Sequence, residues 1–127
     1  MDKKSMDENW HRISYIKDVS NGKVWAQACA ESGSPWFSGH FPNEPILPGI
    51  AILAMVVDAI RHQEAQKGVS ISIAGIKRVR FKLPVRPDEL INLSLSLSQN
   101  HQDLCYYFTV ELNMKTVCTG MVLAQLQ

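Results

Sequence analysis

A chain of 127 residues, 46% hydrophobic and 20% charged, is long enough for one hydrophobic core, and a net charge of +1 gives it no electrostatic case for nucleic acid. Its longest unbroken apolar run, Ile50–Val57, is far short of the roughly 20 residues a membrane helix needs. Cys29, Cys105 and Cys118 match neither a disulfide framework nor a metal-ligand spacing, so reduced thiols in a soluble, cytoplasmic protein are expected.

Residues 1–9 are polar, lack the apolar core of a secretory signal and read as a frayed tail on a single domain spanning 1–127. A first strand is expected over Trp10–Val19, with Ile13, Tyr15 or Ile16, and Val19 as its apolar points. Asn21-Gly22 then signals a hairpin, because a type I′ turn needs φ > 0 at both central residues. The return strand, Lys23–Glu31, places Val24, Ala26, Ala28 and Ala30 on one face. Ser32-Gly33-Ser34-Pro35 ends it, and Trp36-Phe37 leads into Gly39-His40-Phe41-Pro42-Asn43-Glu44-Pro45-Ile46-Leu47-Pro48-Gly49.

Prolines at 42, 45 and 48 fix φ and hold the residue before each of them extended, so this loop loses less entropy on folding than a flexible one. A helix is expected from about Pro48 to Gln66, stopped at Gly68, with a length of roughly 28 Å. Its first half is apolar on nearly every side, which predicts burial, and Arg61–Lys67 emerges into water. Four strands follow. Val69–Leu83 has Val79, Phe81 and Leu83 as its apolar face, and Leu90–Ser98 alternates leucine with serine. Leu104–Met114 carries Tyr106, Phe108, Val110, Leu112 and Met114, and Lys115–Leu126 carries Val117, Thr119, Met121 and Leu123. Turns fall at Gln99–Asp103 and Asn113–Lys115. One long helix and about six antiparallel strands make an α+β domain with a curved sheet wrapped around the helix. Its open sheet edges predict at least a dimer.

His40 is the histidine whose setting suggests chemistry, since it precedes the N-terminus of a buried helix where unpaired N–H groups can bind a carbonyl. It reads either as a general base or as a loop histidine bonded to a backbone carbonyl, and the backbone N–H of Gly49 is the matching oxyanion-type donor. His11, His62 and His101 read as solvated surface residues. The basic ladder Arg78, Arg80 and Lys82 reads as the solvated face of a strand or as a site for a phosphate or an acidic partner, and the three cysteines as small core residues.

Gly39-His40-Phe41-Pro42, then Pro45-Ile46-Leu47-Pro48-Gly49 and an apolar helix, resemble the signature of the β-hydroxyacyl-ACP dehydratases, which have the hotdog fold. Ala74-Gly75-Ile76-Lys77, Val79-Arg80-Phe81 and Pro84-Val85-Arg86-Pro87-Asp88 fall where that family has a similar strand and turn, so the resemblance covers about residues 13–126. It implies dehydration of a 3-hydroxyacyl thioester, on acyl carrier protein or coenzyme A, or the reverse reaction, with no metal or redox cofactor. It implies His40 and Gly49 as catalytic groups, with Phe41, Pro48, Ala54, Arg78 and Arg80 along the substrate. It also implies a dimer, alone or assembled as a trimer of dimers, in which the histidine of one subunit faces a helix carboxylate of the other.

Counted from Pro48-Gly49, that carboxylate falls at Ala54, which can neither donate a proton nor hold a water. Asp58 lies one turn later, displaced by about 6 Å along the axis, and reads either as acting through a water or as paired with Arg61, Arg78 or a dimer neighbour. Three functions follow: a dehydratase with weak or partner-dependent activity, a non-catalytic acyl-thioester-binding subunit paired with a complete dehydratase, and, third, an acyl thioesterase.

Overall fold

The computed structural model describes residues 10–19, 23–38 and 45–127. Six strands, β1 (Arg12–Val19), β2 (Lys23–Cys29), β3 (Ile71–Phe81), β4 (Ile91–Asn100), β5 (Asp103–Leu112) and β6 (Lys115–Leu126), form one antiparallel sheet in the order β1-β2-β4-β5-β6-β3. The sheet curls around α1 (Gly49–Gln66), the long helix of the described residues.

Strand chemistry explains the curl. On β2 the inward residues Val24, Ala26 and Ala28 are small, which lets α1 approach closely, while β4 and β5 send larger residues inward, including Leu93, Leu95 and Phe108. The helix answers with Ile52, Met55, Val56, Ala59 and Ile60, all buried. This alternation of apolar-in and polar-out residues, most regular in the Leu/Ser pattern of β4, makes the sheet half-buried.

α1 begins one residue later than its sequence suggests. Pro48 is extended (φ −61°, ψ 149°) and caps the helix, its carbonyl accepting from Ala51 N–H, so Gly49 is the first helical residue. At the other end Gly68 takes a positive φ of 74° and Val69 N–H bonds back to the Glu64 carbonyl at 2.9 Å, the expected glycine stop. Burial of α1 is one-sided. Ile50 is 65% exposed, and Leu53, Ala54, Val57 and Asp58 are half-buried, so one chain covers one side of the helix and leaves a second apolar side open.

Two strands also depart from simple alternation. Between β5 and β6 the register passes from Val110↔Cys118 to Glu111↔Thr116, leaving Val117 as a bulged residue. Val117 and Cys118 are therefore both buried, and the inward set beyond Val117 is Cys118, Val122 and Ala124 rather than Thr119, Met121 and Leu123. On β3 the register shifts twice, and Phe81 and Leu83 point away from the core instead of into it. Met114 is not a strand residue. With Asn113 it takes positive φ in the β5–β6 turn and is 93% exposed. The Asn21-Gly22 turn and the 1–9 tail lie outside the described residues, although β1 and β2 do pair antiparallel, with Val19 opposite Lys23.

Candidate active site

The prolyl segment brings the chain to the N-terminus of α1. Leu47 N–H donates to the Val85 carbonyl at 2.7 Å, tying the loop to the turn after β3, and Leu47 itself is buried. Gly49 and Ile50 open the helix, and their N–H groups make no backbone hydrogen bond among the described residues. Beside them lies an open groove of about 450 Å³, walled by Leu47, Gly49, Ile52, Phe81, Lys82 and Val85.

Gly49 lies in close approach to a neighbouring ring. A β-carbon at this position would sit 2.7 Å from the Phe81 ring. Gly120 presents the same problem opposite its strand partner Phe108, at 2.5 Å. The two differ in what can yield. Phe81 is 51% exposed and free to swing, whereas Phe108 is locked in the core. Gly120→Ala is therefore expected to destabilise by about 1–3 kcal/mol, and Gly49→Ala to leave thermal stability nearly unchanged while shifting the Phe81 ring across the groove. Thermal melts of the two variants check this.

Phe81, which alternation assigned to the core, instead lines the groove. Lys82 lines the groove beside it. Arg78 and Arg80 are exposed on β3, the edge strand beyond β6, but they do not form a regular ladder. Arg78 takes a positive φ of 56° inside the irregular stretch between Lys77 and Arg80. His40 and Phe41 fall in 39–44, outside the described residues.

Asp58 has a different partner from those expected. His11 Nε2 lies 2.8 Å from Asp58 Oδ2, and the Trp36 indole N–H donates to His11 Nδ1 at 3.1 Å. His11 is thus a buried residue, not a solvated one, and Asp58 pairs with it rather than with Arg61 or Arg78. An indole N–H can only donate, so Nδ1 is the acceptor and the ring proton sits on Nε2, directed at the carboxylate. Trp10 stacks edge-on against Trp36 with ring centroids 4.6 Å apart. Ser34 Oγ bonds the Trp10 carbonyl and accepts from Trp36 N–H at 3.2 Å. The cluster ties the start of β1, the turn at Pro35–Phe37 and the middle of α1 together. Sequence reading missed it because His11, Trp36 and Asp58 are far apart in the chain and each looks unremarkable alone.

Ala54 and Asp58 lie on the open side of α1, whereas the groove at Gly49 and Ile52 lies on the sheet side. A single chain therefore does not bring Asp58 to the groove.

Comparison with known proteins bears on what this arrangement belongs to. The profile of the ApeI-like family, ApeI dehydratase, matches residues 17–121. The 3-hydroxyacyl-[acyl-carrier-protein] dehydratase FabZ of Clostridium perfringens is 27% identical over 116 residues, covering 87% of this chain and 84% of that one. FabZ of Haemophilus influenzae is 34% identical over 99 residues, covering 72% and 66%. Among solved structures, the dehydratase heterocomplex ApeI:P of Xenorhabdus doucetiae superposes with a TM-score of 0.72 at 22% identity, over 90% of this chain and 96% of that one. A hypothetical thioesterase of Streptococcus pneumoniae with coenzyme A gives 0.70 at 8% identity, over 92% and 85%. These structures share the hotdog fold. The family match runs from β1 into β6 and takes in the prolyl loop, the whole of α1 and nearly all of the core: the chain is a member of the ApeI-like dehydratase family.

Proposed function

We propose that this chain is a 3-hydroxyacyl-thioester dehydratase subunit whose site is completed across an oligomer interface. The observation that carries the reading is the helix N-terminus at Gly49, where the Gly49 and Ile50 N–H groups make no backbone hydrogen bond among the described residues, beside a largely apolar groove of about 450 Å³. A thioester carbonyl seated there gains negative charge as its C2 proton is removed, and a hydrogen bond from the Gly49 N–H would stabilise it. His40 is the proposed base, as the resemblance implies. The C3–O bond then breaks, the hydroxyl leaves as water after taking up a proton, and a trans-2-enoyl thioester remains.

The proton donor is where partner dependence enters this reading. Ala54 supplies none, and the open side of α1, with Ile50 exposed beside it, is the surface a second subunit would cover. A second copy would give a homodimer with impaired chemistry. A related subunit that retains the helix carboxylate would accept a proton-transfer partner in His40. The exposed Arg78, Arg80 and Lys82 would favour an acidic carrier protein or the phosphate of the pantetheine arm. A heterocomplex is the form in which the Xenorhabdus dehydratase was solved, which fits this reading.

The deciding measurement is turnover of 3-hydroxyacyl and trans-2-enoyl thioesters by the purified chain, alone and mixed with a carboxylate-bearing relative. Weak activity alone, rising on mixing and lost in His40→Ala by about 100-fold or more, is the expected result. Release of free thiol without enoyl product would indicate a thioesterase instead, and full activity alone would remove the need for a partner.

A further inference from the structure

The groove beside Gly49 has a fixed side and a loose side. Leu47, Ile52 and Val85 are buried, whereas Phe81 and Leu83 are exposed. What is loose in Phe81 is its ring. Its backbone is paired with Cys118 on β6, and the next two N–H groups, of Lys82 and Leu83, both donate to the Val117 carbonyl. The tip of the ring meanwhile fills the space that a side chain at 49 would need, with three ring carbons 2.7, 3.0 and 3.1 Å from the place of a Gly49 β-carbon. The backbone does not demand glycine there, because Gly49 is an ordinary first-turn residue of α1, and among the described residues Gly68 is the glycine with positive φ. The N–H does not demand it either, since every residue but proline supplies one. What glycine allows at 49 is a ring resting against the first turn of the helix.

Resting on the function proposed above, we infer that the Phe81 ring is a movable cover for the bound acyl thioester, and that glycine at 49 leaves the room the ring needs to close. In the free protein the ring lies on the first turn of α1 with about half its surface in water. A thioester entering beside Gly49 displaces it by rotation about its side-chain bonds, on a backbone that stays paired to β6 and with no core residue moved. The ring then settles on the acyl arm, and ring and ligand remove apolar surface from water together. Phe81 in this role binds an apolar arm and takes no part in proton transfer. A methyl group at 49 occupies part of the same space and holds the ring away from the ligand.

The test uses the purified protein and an octanoyl-pantetheine amide, which binds without turning over. By calorimetry, Phe81→Ala is expected to weaken binding about tenfold, for the apolar area that half a phenyl ring removes from water, and Phe81→Leu to weaken it less. Gly49→Ala, which keeps the N–H, is expected to weaken binding as well, and Gly49→Ala combined with Phe81→Ala to bind no more weakly than Phe81→Ala alone. A second readout follows the ring itself. With 4-fluorophenylalanine in place of Phe81, the fluorine signal is expected to respond strongly to exchange of water for deuterium oxide in the free protein, and weakly once the amide is bound. Wild-type affinity in both Phe81→Ala and Phe81→Leu would overturn the inference and leave the proposed function standing. So would a fluorine already shielded before the amide is added, as in a subunit interface, or one that stays equally wet afterwards. Failure of the wild type to bind the amide would overturn both. The expected binding pattern without turnover of 3-hydroxyacyl or trans-2-enoyl thioesters would keep the cover and remove the dehydratase.

Discussion

Tyr106→Phe is expected to destabilise the fold by about 2–4 kcal/mol and lower the melting temperature by roughly 10 °C, because it strips the donor from a buried carboxylate. The Tyr106 hydroxyl donates to Glu64 Oε2 at 2.5 Å, and both residues are at most 5% exposed. The nearest cation among the described residues, Lys67 Nζ, is 3.9 Å from the other oxygen and lies at the surface, too far and too wet to replace the lost bond. Glu64 also sits in the last turns of α1, where the helix dipole disfavours negative charge. Glu64→Leu combined with Tyr106→Phe removes both polar partners and is expected to recover much of the loss, since an apolar pair leaves nothing unsatisfied. A double variant no more stable than Tyr106→Phe would show that packing, not the orphaned carboxyl, carries the cost.

The same pair sets an alkaline limit. Burial first, then the hydrogen bond to Glu64 and the charge of Glu64, raise the Tyr106 phenol well above its usual value of 10.0. The native chain therefore keeps this proton while the unfolded chain sheds it. The stabilisation is fully present below pH 10.0 and declines as pH rises from there toward the raised native value. Cys118, whose thiol burial pushes up from 9.0 to about 11, adds a loss of the same sign that begins lower. Denaturant midpoints measured between neutral and alkaline pH should fall less steeply in Tyr106→Phe, with the remaining slope reduced again by Cys118→Ala.

Most of the architecture was legible because strand chemistry here is local. Leu93 and Leu95 between serines, the alanines of β2 and the Gly68 stop each announce their place within a few residues. Alternation failed where the backbone gained a residue. The Val117 bulge reversed the inward face of β6, and the irregularities around Gly75 and Arg78 turned Phe81 outward, where it became a wall of the groove. No periodicity rule detects a bulge, because its signal is the pairing of two distant strands. The site was legible only in part for the same reason. The Pro48-Gly49 entry into α1 could be read from its own residues, but the Trp36–His11–Asp58 relay joins three segments and appears only once the chain is folded. Apolar composition all round α1 was also misleading about one chain. It predicts burial, whereas Ile50 shows that a single copy leaves part of that surface uncovered.

That uncovered side makes Ala54→Glu the most informative substitution for activity. On the proposed reading it is expected to raise kcat/KM of the chain alone, on 3-hydroxyacyl thioesters, by about 10²–10⁴-fold, the range a positioned acid or base contributes. The fold can accept the change. Ala54 is half-buried on the open side, glutamate is a good helix former, and no core residue has to move to admit it. The gain should depend wholly on the histidine of the prolyl loop. A carboxylic acid added there can protonate the leaving hydroxyl but leaves removal of the C2 proton to His40, so His40→Ala placed on the Ala54→Glu background should return activity to the level of His40→Ala alone. If Ala54→Glu raised activity and the gain survived loss of His40, the two groups would not share one site. If it raised nothing while the mixed assembly with a carboxylate-bearing relative was active, a missing acid would not be the chain's only defect. The relative would then be supplying more than a proton, through surfaces that the open side of α1 meets only in the assembled pair.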